Sequence, residues 1–145
     1  NFKHSLDISA YSFIEVARRA HPMMVENGGT LLTLTYMGSN RVTPNYNVMG
    51  VAKAALESAT RYLANDLGPE GIRVNALNPV AGETPLLKSF MGEDTPEIRA
   101  KFLSSIPLGR FSQPEDMGNA ACFLCSEEAS MITGVAMEVD GGRCI

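Results

Sequence analysis

The chain has few of the residues that build metal sites or disulfide frameworks. It holds three cysteines and two histidines among 145 residues. An odd number of cysteines without an even framework favours reduced thiols, so we expect a cytoplasmic protein. His4 and His21 have no companions at the spacing of metal ligands, and we therefore expect no metal site.

Cys122 and Cys125 have the C-x-x-C spacing that redox and metal sites use. The pair lies in an alanine-rich segment of helical pattern, MGNAACFLCSEEAS, and no second pair of cysteines or histidines lies nearby. The sequence therefore favours small, buried residues on a helix face over a redox or metal role.

Further absences narrow the class of protein. No apolar run reaches the length of a membrane span, and no signal-peptide pattern opens the chain. The formal net charge of -4 argues against nucleic acid as a partner. The chain begins with NFKHSLDISAYSF, without an initiator methionine, and we expect it to be part of a longer protein.

Helical and strand patterns alternate along the sequence. The first helical pattern, SLDISAYSFIEVARRAHPMM, should stop near Pro22, and the second, YNVMGVAKAALESATRYLANDLG, should end at Gly68 and Pro69. Strand patterns cover GGTLLTLTY, GIRVNALNPV and GVAMEVDGG. A short helix is expected in TPEIRAKFLSSI, and a longer one should open with a capping box from Ser112 to Glu115.

This alternation predicts an α/β fold with a parallel sheet wrapped by helices. A doubly wound sheet usually has about six strands, but the sequence shows three strand patterns. The dinucleotide fingerprint G-x-G-x-x-G is also absent. We therefore expect the C-terminal part of a doubly wound, Rossmann-type fold whose N-terminal nucleotide-binding half is absent.

Tyr46 and Lys53 are the main candidates for chemistry. They lie seven positions apart, close to two helical turns, so their side chains should share a face at the carboxyl ends of the strands. A nearby ammonium lowers the pKa of a tyrosine, and such a phenol can stabilise an oxygen that becomes negative. Tyr36, at the end of the preceding strand pattern, should point to the same crevice. On spacing alone, a solvated lysine and a half-buried tyrosine are the favoured interpretation.

A family resemblance favours a catalytic role for Tyr46 and Lys53 instead. The run TLLTLTYMGSNRVTPNYNVMGVAKAALESATRYLANDLGPEGIRVNA resembles the NADH-dependent enoyl-acyl-carrier-protein reductases of the short-chain dehydrogenase/reductase superfamily. Most members of that superfamily carry Tyr-x-x-x-Lys, whereas the enoyl reductases carry Tyr-x6-Lys with a second tyrosine ten residues earlier. Tyr46, Lys53 and Tyr36 match the enoyl pattern, and Met49 stands where the commoner tyrosine would be.

The resemblance implies that residues 1–145 are the C-terminal portion of a single short-chain dehydrogenase/reductase domain. Tyr46 would then hydrogen-bond the substrate thioester carbonyl, Lys53 would bind the nicotinamide ribose, and Tyr36 would shape the substrate pocket. Hydride would pass from NADH to a trans-2-enoyl thioester carried by acyl carrier protein or coenzyme A. The choice between NADH and NADPH stays open, because the residues that contact the adenosine ribose belong to the half expected to be absent.

The second half of the chain resembles commoner short-chain reductases, such as 3-oxoacyl-carrier-protein reductases and sugar or alcohol dehydrogenases. Its segment NPVAGETPLL corresponds to a segment that contacts the nicotinamide end of the cofactor in those enzymes. By resemblance, the cofactor contacts are Pro79, Val80, Gly82 and Thr84. Residues 86–106 should cover the acyl chain, and Asp140 to Gly142 should turn the chain at a subunit contact.

Three functions follow as hypotheses. Enoyl-thioester reduction is favoured, in a homotetramer built from the first helix and the Tyr46 helix, as the resemblance implies. A 3-oxoacyl or alcohol dehydrogenase is the second; it lacks the expected tyrosine before Lys53, and Thr33 stands where an upstream serine might be sought. The third is an inactive half-domain that serves as a structural or binding module, and the missing nucleotide fingerprint motivates it. The two differing halves are either native or composite.

Overall fold

The computed structural model describes residues 1–80, 82 and 95–145. Helices and strands alternate over those residues, as the sequence predicts. The elements are α1 (Phe2–Leu6), α2 (Ser12–Met24), β1 (Gly29–Leu34), α3 (Asn47–Leu67), β2 (Ile72–Pro79), α4 (Pro96–Leu103), α5 (Pro114–Cys125) and β3 (Ala136–Val139).

The three strands form one parallel sheet in the order β1-β2-β3. Gly29 to Leu34 pair with Ile72 to Leu77, and the end of β2 pairs with β3. Each strand is reached by a helical crossover, which parallel neighbours require. The predicted parallel α/β sheet is confirmed.

Helices cover the two faces of this sheet. Val74 and Leu31 belong to a core cluster shared with α2 and α3, whereas Leu77 belongs to a second cluster with Leu124 of α5. Val74 and Leu77 have opposite parity in the same strand, so their side chains leave it on opposite sides. This two-sided burial explains why successive residues of β2 are buried, rather than every second one.

The first helical segment runs past Pro22. A π-helical turn, Asp7–Tyr11, joins α1 to α2, and α2 continues to Met24. The helix ends at Met24, two residues after Pro22 and at the last residue of the predicted pattern, which confirms the expected stop near Pro22. A proline removes only its own N–H bond, so the turn that contains it still closes. The N–H of Val25 donates to the carbonyl of His21 at 3.0 Å.

The helix α3 ends at Leu67, as Gly68 and Pro69 predict. Gly68 itself is right-handed, with φ at −57°, and a 3-10 turn follows it. The left-handed residue is Gly71, with φ at 72°.

The capping box of α5 lies one residue later than predicted. Gln113 is the N-cap, and Asp116 accepts a hydrogen bond from its backbone N–H at 2.8 Å. The predicted pair of Ser112 and Glu115 is wrong, because the Ser112 hydroxyl is buried and donates to the carbonyl of Val80 at 3.1 Å.

The cysteines of α5 are exposed. Leu124 is buried against the sheet, and Cys122 and Cys125 lie on the side of the helix away from it. The expectation that the two thiols are buried on a helix face is wrong, because the alanines and Leu124 take the inner positions. None of the helices described is long and apolar enough to cross a bilayer.

Candidate active site

Tyr46 lies at the entrance of α3. It is the N-cap residue, with a φ of −99° that is not yet helical, and its carbonyl accepts from the N–H of Gly50 at 2.7 Å. The residue before it, Asn45, is left-handed with φ at 64°. Asparagine tolerates this conformation better than most residues, and the sharp change of direction there sets where the Tyr46 ring points.

Tyr36 and Tyr46 lie side by side. Their ring centroids are 5.1 Å apart and the planes are inclined at 62°, an edge-to-face contact. Tyr36 follows the end of β1, and Tyr46 begins the next helix. The structure therefore brings these two predicted residues together beyond the carboxyl end of a strand.

Two glycines make room for the Tyr46 ring. A Cβ added at Gly38 would lie 2.4 Å from Cδ1 of Tyr46, and one added at Gly50 would lie 2.7 Å from the carbonyl oxygen of Gly38. Any larger residue at Gly38 would push the ring aside, and one at Gly50 would separate α3 from the turn that holds Gly38. Neither role was predicted from the sequence pattern.

Burial sets the protonation of the tyrosines. It raises the pKa of Tyr46, and the neighbouring Tyr36 raises it further. Burial also raises the pKa of Tyr36, which the charge of Arg143 partly opposes. The expected lowering of the tyrosine pKa by a nearby ammonium is therefore wrong, because desolvation of the phenolate outweighs any attraction to a cation.

Lys53 lies within the helix and turns to the strand end. Its Nζ donates to the carbonyl of Leu34 at 2.8 Å. Burial lowers the pKa of Lys53, and the carboxylate of Glu57 opposes that effect. Glu57 in turn accepts from the hydroxyl of buried Thr35 at 2.6 Å. The sequence carries a signal for Glu57, since it follows Lys53 by four residues on one helix face.

Tyr46 and Lys53 line different cavities. Tyr46 borders one of about 450 Å³ together with Gly38 and Gly50. Lys53 borders another of about 660 Å³ at the end of β1, together with Leu34. Tyr46 precedes the first helical turn, and the shared face expected for Tyr46 and Lys53 stays a prediction.

The predicted cofactor residues lie at the end of β2. Pro79 ends the strand, and Val80 is buried. The N–H of Val80 donates to the carbonyl of Val139 at 3.3 Å, and Gly82 forms a bridge with Ser112. Thr84 lies outside the described residues, as do residues 86–94 of the predicted cover over residues 86–106. Val80 borders a third cavity of about 480 Å³.

Met49 occupies the position of the tyrosine that commoner reductases carry. Its sulfur accepts from the hydroxyl of Ser9 at 3.9 Å, so it contacts the first helical segment. A thioether has no proton to donate, and Met49 cannot take the place of that tyrosine in proton transfer.

The C-terminal turn packs near Tyr36. The carboxylate of Asp140 accepts from the N–H groups of Gly142 at 2.9 Å and Cys144 at 2.6 Å, which confirms the predicted turn. Burial and the hydrogen bond to Asp140 raise the pKa of the Cys144 thiol to about 12. Arg143 lies over the ring of Phe102 in α4, 4.2 Å from its centroid. Nothing in the sequence pattern predicts the Arg143 contact.

Ligand atoms of Glu138, Asp140 and Cys144 lie within 4.8 Å of one another. This group was not predicted from the sequence. The hydrogen bonds that Asp140 accepts, together with a thiol that stays protonated, account for it as the closure of the C-terminal turn.

Comparisons with known proteins agree with this geometry. The family model described as Enoyl-(Acyl carrier protein) reductase matches residues 1–143. The chain is 45% identical over 144 residues to the enoyl-acyl-carrier-protein reductase (NADH) FabI of Escherichia coli (strain K12), covering 99% of this chain and 54% of that protein.

Solved structures show the same fold. The enoyl-acyl-carrier-protein reductase (NADH) of Aquifex aeolicus VF5 superposes with a TM-score of 0.89 at 41% identity, covering 99% of this chain and 55% of that one. A 3-ketoacyl-(acyl-carrier-protein) reductase from Brucella melitensis, complexed with NADH, superposes with a TM-score of 0.87 at 42% identity, covering 99% and 58%.

The chain spans about half the length of the curated relatives it matches. The family match runs through both halves of the chain, including the second half that resembles commoner reductases. Together with the paired tyrosines and the parallel sheet, this match assigns the chain: it belongs to the enoyl-(acyl carrier protein) reductase family, within the short-chain dehydrogenase/reductase superfamily.

Proposed function

We propose that the longer protein containing this chain reduces the trans-2 double bond of enoyl thioesters, with NADH, in fatty acid biosynthesis. The observation that carries the proposal is the edge-to-face pair of Tyr36 and Tyr46 beyond the end of β1, with Lys53 two turns along the same helix. Membership of the enoyl-(acyl carrier protein) reductase family supports it.

Tyr46 is suited to act as a neutral hydrogen-bond donor. Burial raises the pKa of its phenol, so the proton stays in place at neutral pH. We propose that this proton is directed at the thioester carbonyl oxygen, which becomes negative as the double bond is reduced. A donor held in advance stabilises such an oxygen without reorganisation. Tyr36, packed edge-on, would fix the ring of Tyr46 and border the substrate.

Lys53 is suited to hold a cofactor ribose. An ammonium has three protons, and the hydrogen bond to Leu34 uses one of them. The cavity of about 660 Å³ beside it leaves space for a sugar whose hydroxyls accept the others. NADH would supply the hydride to the β-carbon when bound. Further contacts are proposed for Pro79, Val80, Gly82 and Thr84.

NADPH stays an alternative cofactor. A Bacillus cereus enoyl-acyl carrier protein reductase that is 45% identical to this chain was crystallised with NADP+. The enzyme of Escherichia coli is named for NADH.

The proposed substrate is carried by acyl carrier protein or coenzyme A, and the proposed location is the cytoplasm. We propose no nucleic-acid or membrane partner. A homotetramer is proposed through the outer faces of the first helical segment and α3. Both carry exposed apolar side chains, among them Ile14 and Val16 on the former and Val51 on the latter. Such faces are often covered by another subunit.

The test of the proposed role is Tyr46→Phe in the longest natural polypeptide that contains this chain. Loss of one donor to a developing oxyanion should lower the turnover of a trans-2-enoyl thioester about 10²–10³-fold. Tyr62→Phe is the matched control, since Tyr62 lies on the same helix with 72% of its surface exposed and should leave turnover unchanged. Unaltered turnover in Tyr46→Phe, with the circular dichroism spectrum of the wild type, would contradict the proposed role of Tyr46.

Reduction of a 3-oxoacyl thioester is the second candidate. The likeness to the 3-ketoacyl reductase of Brucella melitensis favours it, at 42% identity. Met49, four residues before Lys53, argues against 3-oxoacyl reduction, because its thioether has no proton to donate. An inactive module, the third hypothesis, would turn over neither thioester.

A further inference from the structure

Two free thiols stand on the outer face of α5. Cys122 and Cys125 are both exposed, three residues apart in the last turn of the helix. Residues at that spacing are neighbours on a helix surface. The pair is separate from the tyrosine site and from the cofactor contacts proposed above.

The helix geometry selects what the pair can bind. Side chains three apart on a helix have Cβ atoms about 5–6 Å apart. A disulfide needs Cβ atoms about 3.5–4.5 Å apart, so direct oxidation would distort the last turn. A single atom that bonds both sulfurs at about 2.3 Å, the length of a zinc–thiolate bond, spans the pair without that distortion.

The number of ligands that a bound atom requires further limits what the two thiols can bind. Zinc and similar cations in structural sites take four protein ligands. Among the described residues, the group of three or more potential ligands is Glu138, Asp140 and Cys144, and it does not include this pair. A centre that needs only two thiols therefore fits better than a four-coordinate cation.

We propose that Cys122 and Cys125 form a two-thiol site for trivalent organoarsenicals. In the step, two As–S bonds form and the As–O bonds of the arsenical break. The two thiol protons combine with the oxygen of the arsenical, so one molecule of water is released for each phenylarsine oxide that binds. Arsenic stays trivalent and both sulfurs stay at the thiol oxidation level, so no oxidant or reductant is needed.

Cys144 serves as an internal reference. Its thiol is hydrogen-bonded to Asp140, and burial raises its pKa to about 12. Thiolates rather than thiols bind soft centres, so Cys144 should stay unmodified while the exposed pair reacts.

The test uses phenylarsine oxide with the longest natural polypeptide containing this chain. One equivalent should give a single adduct by native mass spectrometry and should protect Cys122 and Cys125, but not other thiols, from maleimide. Cys122→Ser or Cys125→Ser should weaken binding about 10²-fold or more, because the second bond then loses its intramolecular advantage. Cys144→Ser should bind as tightly as the wild type.

The double variant Cys122→Ser, Phe123→Cys is the sharper control. It keeps two thiols in the helix but places them two residues apart, on opposite faces. It should bind no better than the single variants, with circular dichroism confirming that the helix remains. Equal binding by the wild type and either single variant would overturn the proposal. So would an adduct confined to Cys144, or a disulfide-containing chain lighter by two hydrogen atoms in place of the adduct.

Discussion

Tyr46 is positioned by small residues that surround it. Gly38 lies against its ring, Gly50 lies against Gly38, and left-handed Asn45 turns the chain into the helix. The donor therefore has little freedom, as electrostatic stabilisation of an oxyanion requires. Steric contacts therefore position the Tyr46 ring more than charge does.

Substitution of Gly38 tests this packing. A Cβ in Gly38→Ala would lie 2.4 Å from the Tyr46 ring, so the ring must move by about 1 Å. We expect enoyl turnover to fall about 10–100-fold, since misplacement of that size is costly. Gly68→Ala is the control, because Gly68 is right-handed and has nothing within 4 Å of its added Cβ. Equal turnover in the two variants would show that the ring is not held by Gly38.

Protonation of Tyr46 gives a second test. The folded-state pKa is raised by burial, so Tyr46 should titrate above about 10, the ordinary value for tyrosine. The difference between wild-type and Tyr46→Phe absorbance at 295 nm should follow that single phenol. Because the folded state holds the proton more tightly, its stabilising contribution is present at neutral pH and is lost as pH rises through the folded-state pKa. A midpoint below about 10 would contradict the account.

Helix and strand placement followed from local patterns, whereas the start of α5 did not. The periodicity of α3 and its Gly68-Pro69 stop were readable, as were the three apolar strands. The start of α5 was misplaced by one residue because Ser112 is bound to Val80, 32 residues away. Such long-range contacts override a local capping signal, and no window of sequence around Ser112 contains them.

Pro22 carries a prediction about the first helical segment. It lies inside α2 and is exposed, so its side chain contributes little packing, while its ring interrupts the helix. Pro22→Ala should raise the free energy of unfolding by about 1–3 kcal/mol, since the backbone bond is restored. Met23→Ala, at a side chain that is 77% exposed, should change it by less than about 0.5 kcal/mol. Urea unfolding measures the free energy of unfolding of both variants. A Pro22→Ala variant less stable than the wild type would contradict the expectation that Pro22 destabilises the helix.

The whole molecule is a sheet with helices on both faces. Its class could be predicted because alternating helix and strand patterns permit few topologies. The pairing of Tyr36 with Tyr46 was also predicted, because both flank the end of β1. The raised pKa of Tyr46 and the hydrogen bond from Lys53 to Leu34 could not be predicted from the sequence, since burial and backbone contacts depend on the folded chain.

The enoyl-(acyl carrier protein) reductase family model covers both halves of this chain. The tyrosine spacing of the first half predicts enoyl reduction, whereas the pattern of the second half predicts a commoner reductase. Chemistry follows the site rather than the scaffold, so the Tyr46 helix should decide the reaction. The chain spans about half the length of the curated relatives it matches, so the proposed activity is to be tested on the longest natural polypeptide that contains it.

The most direct measurement is a paired assay on that longest natural polypeptide. NADH oxidation is followed with a trans-2-enoyl thioester and, separately, with the 3-oxoacyl thioester of the same chain length. The account predicts faster enoyl turnover, and loss of that turnover in Tyr46→Phe. Faster 3-oxoacyl turnover, or no turnover of either thioester, would contradict it.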